Sequence, residues 1–278
     1  MKCKPGRRDA RPTLPARQVR AMFSSIAPAY DRLNHLLSLS IDRLWRRRAA
    51  RRVLEPLESA DGRGRVPVRV LDVCAGTGDL TLACARRMGA GGCVTGVDFS
   101  REMLREGRAK LLRRKGGMEM LRRKSGARTR GAGTSRETNS APLILSVEGD
   151  ALRLPFGDGS FDAAMIAFGL RNLADKPGGL REMARVVRKG GRVVVLEFSQ
   201  PRAWWLRPLY RPYLRLLLPL AGNLLTRSDA YAYLSQTVRE FAPPEEVSEW
   251  MRRAGMADVR FELLTGGIAV LHRGIVEG

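Results

Sequence analysis

Short apolar runs alternate with segments of helical periodicity through the middle of the chain. Residues 68–73 form an apolar run that leads through a glycine-rich turn into a helical pattern at 79–88. The same order returns at 93–98 and 101–114. Further strands are predicted at 143–147, 161–167 and 192–198, with a helix at 178–187. Strands that alternate with helices predict an α/β fold in which a doubly wound, mostly parallel sheet is covered on both faces.

Both ends of the chain depart from this alternation. Residues 259–264 and 268–272 predict an antiparallel hairpin that closes the sheet, giving seven strands in all. Residues 18–54 have helical periodicity, and Pro28 predicts two helices there because proline interrupts the hydrogen bonds of a helix.

The chain is predicted to form a single domain, residues 19–278, behind a basic flexible tail at 1–18. Within it lie N-terminal helices at 19–56 and two segments that interrupt the core. Residues 115–139 are rich in Arg, Lys, Gly, Ser and Thr, which predicts a disordered or loosely ordered insertion. Residues 203–226 are instead rich in aromatic residues and leucine.

Charge narrows the classes of partner. The 278 residues include 50 Lys and Arg against 28 Asp and Glu, a net charge of +22, so an anionic partner is expected: nucleic acid, anionic lipid or phosphate. Much of the excess lies in residues 1–20 and 113–136, and the remaining chain is only modestly basic. The longest uncharged stretch, 216–226, is far shorter than the roughly 20 residues that span a bilayer.

The metal-binding residue types are sparse. Cysteines occur at positions 3, 74, 84 and 93 without a CxxC pair, and the histidines are His35 and His272. We therefore expect no metal site and no disulfide framework, and a reducing compartment such as the cytoplasm.

A glycine-rich loop follows the first strand. Gly76 and Gly78 allow close approach of a ligand to the backbone, but Thr81 replaces the third glycine of a dinucleotide fingerprint, which argues against a pyrophosphate. Asp98 ends the second strand, where a carboxylate can accept hydrogen bonds from two ribose hydroxyls. The alternative is that Asp98 caps the next helix.

A third loop follows the predicted strand 143–147. Asp150 can accept from an exocyclic amine, and the small Ala151 lets the backbone approach a purine. The carboxyl ends of parallel strands meet at one edge, so the three loops converge on one crevice. A ligand with a ribose and an adenine but no pyrophosphate is S-adenosylmethionine.

The loops at 72–81, Asp98, Asp150 and Ala151 resemble those of class I S-adenosylmethionine-dependent methyltransferases, which have a Rossmann-like fold. Several other segments resemble the ubiquinone/menaquinone biosynthesis C-methyltransferase family. They include Tyr30-Asp31-Arg32-Leu33-Asn34, Phe168-Gly169-Leu170-Arg171-Asn172, Arg185-Val186-Val187-Arg188-Lys189-Gly190-Gly191, Leu196-Glu197-Phe198-Ser199 and Leu264-Thr265-Gly266-Gly267-Ile268. The resemblance extends from about residue 19 to residue 273, without the insertion.

The resemblance implies a cofactor site and a reaction. Gly76 and Gly78 would shape the loop, and the contacts to S-adenosylmethionine would come from Thr77, Asp98, Asp150 and Ala151. Ala167 stands where the family often has serine, which puts one cofactor contact in doubt. The implied reaction is C-methylation of a polyprenyl quinol ring, from demethylmenaquinol to menaquinol or at the matching step of ubiquinone biosynthesis. It requires no metal.

Candidate catalytic residues follow the fourth strand. Arg171, with Asn172 beside it, can stabilise a developing phenolate, although Arg171 could instead pair with a structural carboxylate. Tyr30, Asp31 and His35 are weaker candidates for a lid or a proton acceptor, with a helical surface as the alternative.

A prenylated substrate implies work at a membrane surface, peripherally on its cytoplasmic side. Residues 203–226 have the composition of an interfacial segment: Trp204, Trp205, Arg207, Tyr210, Arg211, Tyr213 and Arg215. The same residues could instead cap the sheet. The competing function is an RNA or other nucleic-acid methyltransferase, suggested by the basic insertion, but the charge lies in low-complexity sequence. A homo-oligomer is compatible with the sequence.

Overall fold

The computed structural model describes residues 14–55, 68–88, 92–124, 142–213 and 230–278. Their helices are α1 (Ala16–Leu37), α2 (Ile41–Val53), α3 (Asp79–Ala85), α4 (Arg101–Lys124), α5 (Lys176–Val186), α6 (Arg207–Pro212), α7 (Ala230–Glu240) and α8 (Pro244–Arg253). The strands are β1 (Arg69–Val73), β2 (Cys93–Asp98), β3 (Leu143–Glu148), β4 (Phe161–Ala167), β5 (Val187–Phe198), β6 (Met256–Leu264) and β7 (Ala269–Val276). Two 3-10 turns lie at Leu170–Asn172 and Thr265–Gly267.

The seven strands form one sheet in the order β3-β2-β1-β4-β5-β7-β6. The pairs among β1 to β5 are parallel. β7 runs antiparallel between β5 and β6, so the two C-terminal strands close one side of the sheet. The predicted fold class, with its antiparallel C-terminal hairpin, is confirmed.

Central and edge strands differ in burial as their sequences predict. In β1, residues 70–73 are all buried, and β2 and β4 are nearly as enclosed. β3 lies at the edge, where Leu143 and Leu145 are exposed. Apolar residues from α2 and α3 pack on one face of the sheet, and those from α5 and α8 pack on the other. Because β1 to β5 are parallel, their carboxyl ends lie at one shared edge of the sheet.

Pro28 does not divide the N-terminal region into two helices. α1 continues through it and ends at Leu37, and Leu39 and Ser40 then adopt left-handed φ angles of 50° and 60°. Pro28 lies on the exposed side of α1. A carbonyl that loses its helical partner there can bind water, so the helix persists.

Three predicted boundaries shift. The expected tail at 1–18 ends inside α1, which begins at Ala16; residues 1–13 lie outside the described part. The insertion at 115–139 is not wholly irregular because α4 continues to Lys124, and the rest of it also lies outside. The N-terminal helices, expected at 19–56, occupy 16–37 and 41–53. No helix in the described ranges is both long and apolar enough to cross a membrane.

His272 lies within β7 and is almost fully buried. Its Nε2 is 3.0 Å from the carbonyl oxygen of Pro244, so the neutral ring donates its proton there. Burial lowers the pKa of His272 from 6.5 to about 4. The unfolded chain therefore binds one more proton than the folded chain between these values, and the stability that depends on neutral His272 is complete above pH 6.5 and lost as the pH falls toward 4.

We expect His272→Gln, which keeps a donor for Pro244 but does not titrate, to reduce the proton uptake on unfolding by about one in this pH range. Denaturant titrations across the range measure this as a shallower rise of unfolding free energy with pH. Asp72 changes the slope of unfolding free energy with pH in the opposite direction, because burial raises its pKa to about 7. This contribution is the same in the parent and in the variant. Equal slopes for the parent and the variant would contradict the assignment.

Candidate active site

The loops at the carboxyl edge of the sheet are hydrogen-bonded to each other. The Gly76 N–H donates to Oδ2 of Asp98 at 2.8 Å. The Gly149 N–H donates to the carbonyl oxygen of Asp98 at 3.0 Å. The structure therefore brings together the glycine loop, Asp98 and the segment that leads into Asp150.

The glycine loop leaves open space beside its backbone. Gly76 and Gly78 have φ angles of 55° and 77°, which favour glycine. A β-carbon at Gly76 would meet no atom within 4 Å. Gly78 immediately precedes α3, whose first-turn N–H groups have no helical acceptor. A ligand can therefore approach the loop closely.

Asp98 is a buried carboxylate with acceptor capacity left. Its oxygens receive the Gly76 N–H and, at 2.9 Å, the Ser100 N–H. Burial raises the pKa of Asp98, while these backbone hydrogen bonds act in the opposite direction. Each carboxylate oxygen can accept a second hydrogen bond, so both ribose hydroxyls can be bound. Ser100, not Asp98, caps α4: its Oγ accepts from the Met103 N–H at 3.3 Å, and the Ser100 N–H that Asp98 binds lies just before the helix.

Asp150 and Ala151 lie just after β3. Oδ1 of Asp150 accepts from the Leu152 N–H at 2.9 Å, and the side chain is otherwise exposed. Ala151 is buried beneath the loop. Asp98 and Asp150 thus follow neighbouring strands at the carboxyl edge beside the open glycine loop, the arrangement predicted for the ribose and the exocyclic amine of S-adenosylmethionine.

Thr77 is covered by α1. Its hydroxyl donates to Asp31, a contact between α1 and the glycine loop. Lys110 of α4 donates to Oδ2 of Asp31 at 2.6 Å and to Oδ1 of Asp79 at 2.8 Å. Asp31 is therefore not exposed helix surface, because it contacts both the glycine loop and α4. Asp31 holds α1 against the glycine loop. The cofactor contact predicted for Thr77 stays a prediction.

His35 links α1 to α2 and α3. Nδ1 lies 3.0 Å from Oδ2 of Asp42, and Nε2 lies 3.3 Å from Oδ2 of Asp79. Among the described residues these three are the group with metal-ligand chemistry. Both ring nitrogens already face carboxylates. Burial would raise the pKa of Asp79, but Arg46 and Lys110 hold it below its ordinary value, so side chains already compensate its charge.

An aromatic cavity of about 500 Å³ lies beside the crevice. Side chains of α1, α2, α6 and α7 form its walls, together with residues that follow β4 and β5. Its lining includes Phe23, Ile26, Tyr30, Trp45, Phe168, Phe198, Tyr210 and Tyr213. Such a volume and lining suit a ring with an apolar tail.

Arg171 lies at the polar end of this cavity. Its Nη1 donates at 2.6 Å both to the carbonyl oxygen of Phe168 and to Oε1 of the fully buried Glu197. Arg171 therefore pairs with a structural carboxylate, which was the alternative predicted from the sequence. It also lines the cavity. Within the described chain, its Nε has no acceptor. The guanidinium is thus oriented by Glu197 with donor capacity left.

Asn172 and Tyr30 add two polar groups to the lining. Nδ2 of Asn172 lies 3.4 Å from the carbonyl oxygen of Phe168, and its buried Oδ1 meets no donor from the described residues. Burial raises the pKa of Tyr30, although Arg46 and Arg171 oppose the shift. Tyr30 therefore stays protonated near neutral pH and is a hydrogen-bond donor, not a proton acceptor.

The cavity floor is packed against the glycine loop. A β-carbon at Gly169 would lie 2.6 Å from Cβ of Cys74, so the Gly169 backbone packs closely against the Cys74 side chain. Cys74 begins the loop after β1, and Gly169 begins the turn that carries Arg171. The polar end of the cavity and the glycine loop are therefore adjacent.

Sequence reasoning missed three functional side chains. Glu197 is an acidic residue inside an apolar strand, and that pattern could have indicated a buried cationic partner. Arg46, which lies 5.0 Å above the Phe168 ring in the cavity, was hidden in an arginine-rich helix. Lys110 carries no signal in sequence, because its partners come from other elements.

The chain is similar to quinone-pathway methyltransferases along most of its length. A model of the ubiE/COQ5 methyltransferase family matches residues 12–276. A ubiquinone/menaquinone biosynthesis C-methyltransferase from Geobacter sp. is 41% identical, over 92% of this chain and 95% of the relative. A demethylmenaquinone methyltransferase from Staphylococcus aureus is 36% identical, over 94% and 93%.

Solved structures agree in fold. A methyltransferase from Thermotoga maritima superimposes with a TM-score of 0.55 at 18% identity, over 92% of this chain and 98% of that chain. A [4+2]-cyclase gives a TM-score of 0.59 at 18% identity, over 95% and 97%. The fold is thus shared with S-adenosylmethionine-dependent methyltransferases, and the family match and the curated relatives narrow it further: this chain belongs to the ubiE/COQ5 methyltransferase family.

Proposed function

We propose that the protein transfers the methyl group of S-adenosylmethionine to a ring carbon of a polyprenyl quinol. The product is menaquinol, formed from demethylmenaquinol, or the matching C-methylated intermediate of ubiquinone biosynthesis. The names of the relatives cover both pathways. The observation that carries the proposal is that Gly169, between the cavity-lining residues Phe168 and Arg171, packs against Cys74 at the start of the glycine loop.

The crevice at the glycine loop and the aromatic cavity have different tasks in the reaction. S-adenosylmethionine, when bound, supplies an electrophilic methyl group on a sulfonium. Transfer would form the carbon–carbon bond as the carbon–sulfur bond breaks, leaving a neutral thioether, and the proton of the ring carbon would be released to solvent. The glycine loop, Asp98 and Asp150 hold the nucleoside, and the aromatic cavity holds the ring and excludes water.

Arg171 and Asn172 act on the quinol oxygens. The Arg171 guanidinium stabilises the negative charge of a phenolate, which raises the electron density at the reacting carbon. Oδ1 of Asn172 accepts the hydrogen of a quinol hydroxyl; otherwise it remains an unsatisfied buried acceptor, at a cost of about 1–3 kcal/mol. Tyr30 donates a further hydrogen bond within the same cavity.

Methyl transfer from labelled S-adenosylmethionine tests this function directly. We expect label in a prenylated demethylnaphthoquinol or a prenylated methoxy-benzoquinol, and none in RNA. The ratio of the two quinol rates assigns the ring. Label in RNA without label in either quinol would establish the nucleic-acid alternative, which nothing in the comparisons favours.

Within the described part of the segment 203–226, its first residues support peripheral binding to a membrane. Trp204 and Trp205 are 80% and 62% exposed. Tyr210 and Tyr213 line the cavity, so they do not belong to the exposed aromatic edge. The residues beyond 213 in this segment lie outside the described part. The described residues of the segment thus form an exposed aromatic edge and part of the cavity wall, and binding to a membrane stays a prediction.

Replacing Trp204 and Trp205 with Ser is expected to raise the apparent KM for a long-tailed quinol in liposomes by about tenfold, because two interfacial aromatic anchors are lost. Turnover of a short-tailed, soluble quinol should not change. The matched control is Leu143→Ser with Leu145→Ser, two exposed side chains on the distant edge strand β3. Equal losses on both quinols would mean that the tryptophans support the cavity instead.

A further inference from the structure

The connection between α1 and α2 places large apolar side chains in solvent at the opening of the cavity. Leu36 is 61% exposed and Leu39 is 80% exposed, and both also line the cavity. Leu44, in the first turn of α2, is 60% exposed. A side chain that lines a cavity and is mostly exposed marks its mouth, so the mouth has an apolar rim.

Leu39 is unfavourable for the isolated fold in two respects. Its φ of 50° lies in the left-handed region, where glycine or asparagine is usual and leucine is strained. It also buries little surface. An apolar residue that gains neither backbone preference nor burial at the rim of a ligand cavity indicates a role outside the folded chain.

Unpaired arginines surround these leucines. Arg32 lies one helical turn before Leu36 on α1, and Arg43 and Arg47 lie on the exposed side of α2. None of the three has an ion-pair partner among residues 14–55, 68–88, 92–124, 142–213 and 230–278. Asp42 does not neutralise them, because it is buried and faces His35.

We propose that this α1–α2 tip inserts its leucines into the interface of a bilayer containing anionic phospholipid, while its arginines bind the lipid phosphates. The tip consists of Arg32, Leu36, Leu39, Arg43, Leu44 and Arg47. Interfacial elements bury their apolar side chains roughly 5–10 Å into the headgroup boundary.

The tip and the two tryptophans flank the same opening. Leu206 lines the cavity directly after Trp204 and Trp205, and Leu36 and Leu39 line it from α1 and the following turn. A prenyl tail can therefore pass between the two elements into lipid while the ring reaches Arg171. This inference rests on the proposed function, because the quinol places the mouth at a membrane.

Vesicle flotation of the full chain, without quinol, tests the apolar part. Leu36→Ser with Leu39→Ser is expected to weaken binding to phosphatidylcholine vesicles containing phosphatidylglycerol by about tenfold, given the transfer free energy of two partly inserted leucines. The control pair Leu143→Ser with Leu145→Ser should bind like the parent. Melting temperatures of both variants should match the parent. A large drop confined to the tip variant would show that these leucines pack within the fold, and would overturn the proposal.

The charged part is tested by replacing Arg32, Arg43 and Arg47 with Gln. Binding to anionic vesicles should fall about fivefold for each charge, and binding to phosphatidylcholine alone should not change. Arg181, Arg252 and Arg253 on α5 and α8 provide a control that removes the same net charge elsewhere. Equal losses in the two sets would mean that net charge alone drives binding, and would overturn the assignment of the tip.

Two further results separate the alternatives. Sedimentation velocity that shows a dimer in the parent and a monomer in the leucine variant would assign the tip to contacts between copies of this chain, against the proposal. Normal vesicle binding with no methyl transfer to any quinol would overturn the proposed function and leave the docking tip standing. The arginine variant should keep its turnover of a short-tailed quinol.

Discussion

Asp98→Ala is expected to weaken the binding of S-adenosylmethionine by about 2 to 3 kcal/mol, since two hydrogen bonds between ribose hydroxyls and a carboxylate are lost. The measurement is calorimetric titration of the purified variant. Asp98 also receives the Gly76 N–H at 2.8 Å, so the substitution releases the glycine loop as well. Both effects lower affinity.

A second substitution separates these two contributions. Asp98→Asn keeps the size of the side chain and one acceptor oxygen, so the loop can keep its bond while the ribose loses the charged acceptor. We expect an affinity between those of the parent and the alanine variant. Thermal unfolding without ligand establishes that each variant is folded. Unchanged affinity in a folded alanine variant would overturn the cofactor site.

Arg171→Met is expected to lower kcat by about 10² to 10³, the range seen when one preorganised donor to a developing oxyanion is removed. Affinity for S-adenosylmethionine should stay near that of the parent, since Arg171 contacts the quinol cavity. Single-turnover kinetics on a short-tailed quinol measure the chemical step.

The pairing with Glu197 calls for a control, because Arg171→Met also leaves a buried carboxylate without its partner. Such a loss is expected to destabilise the fold by about 3–5 kcal/mol. The double variant Arg171→Met with Glu197→Met removes both charges and should recover much of that stability without recovering kcat. If activity returns together with stability, Arg171 is a structural residue and the proposed role is wrong.

The strands at the centre of the sheet could be predicted closely because burial on both faces leaves a clear pattern. β2 and β4 occupy the predicted residues, 93–98 and 161–167. Gly92 precedes β2 and Asp98 ends it, and Gly159 and Gly169 flank the run that contains β4. The glycine loop and Asp98 also meet as predicted, because parallel strands bring their carboxyl ends to one edge.

The partner of Arg171 could not be assigned from sequence. The register of β4 on β5 pairs Ala167 with Leu196, which places Glu197 beside the turn that carries Arg171. That register depends on the packing of the whole sheet and is not encoded in either segment alone. An apolar strand with a single carboxylate predicts a buried ion pair but does not identify the cation.

The contacts of α1 were equally inaccessible to sequence reasoning. Asp31 meets Lys110 of α4, and His35 meets Asp42 and Asp79 of two further elements. No spacing rule relates these positions. Pro28 was a misleading signal because a proline is tolerated where a helix faces solvent. Which side of α1 faces solvent is known only after α1 is packed.

α1 also connects the energetics of the two ligands. The same helix contacts the glycine loop through Asp31 and forms the cavity wall with Phe23, Ile26 and Tyr30. Any displacement of α1 that admits the nucleoside therefore removes part of the wall around the quinol. Thermodynamic linkage then requires that each ligand change the affinity for the other by the same factor, whichever binds first.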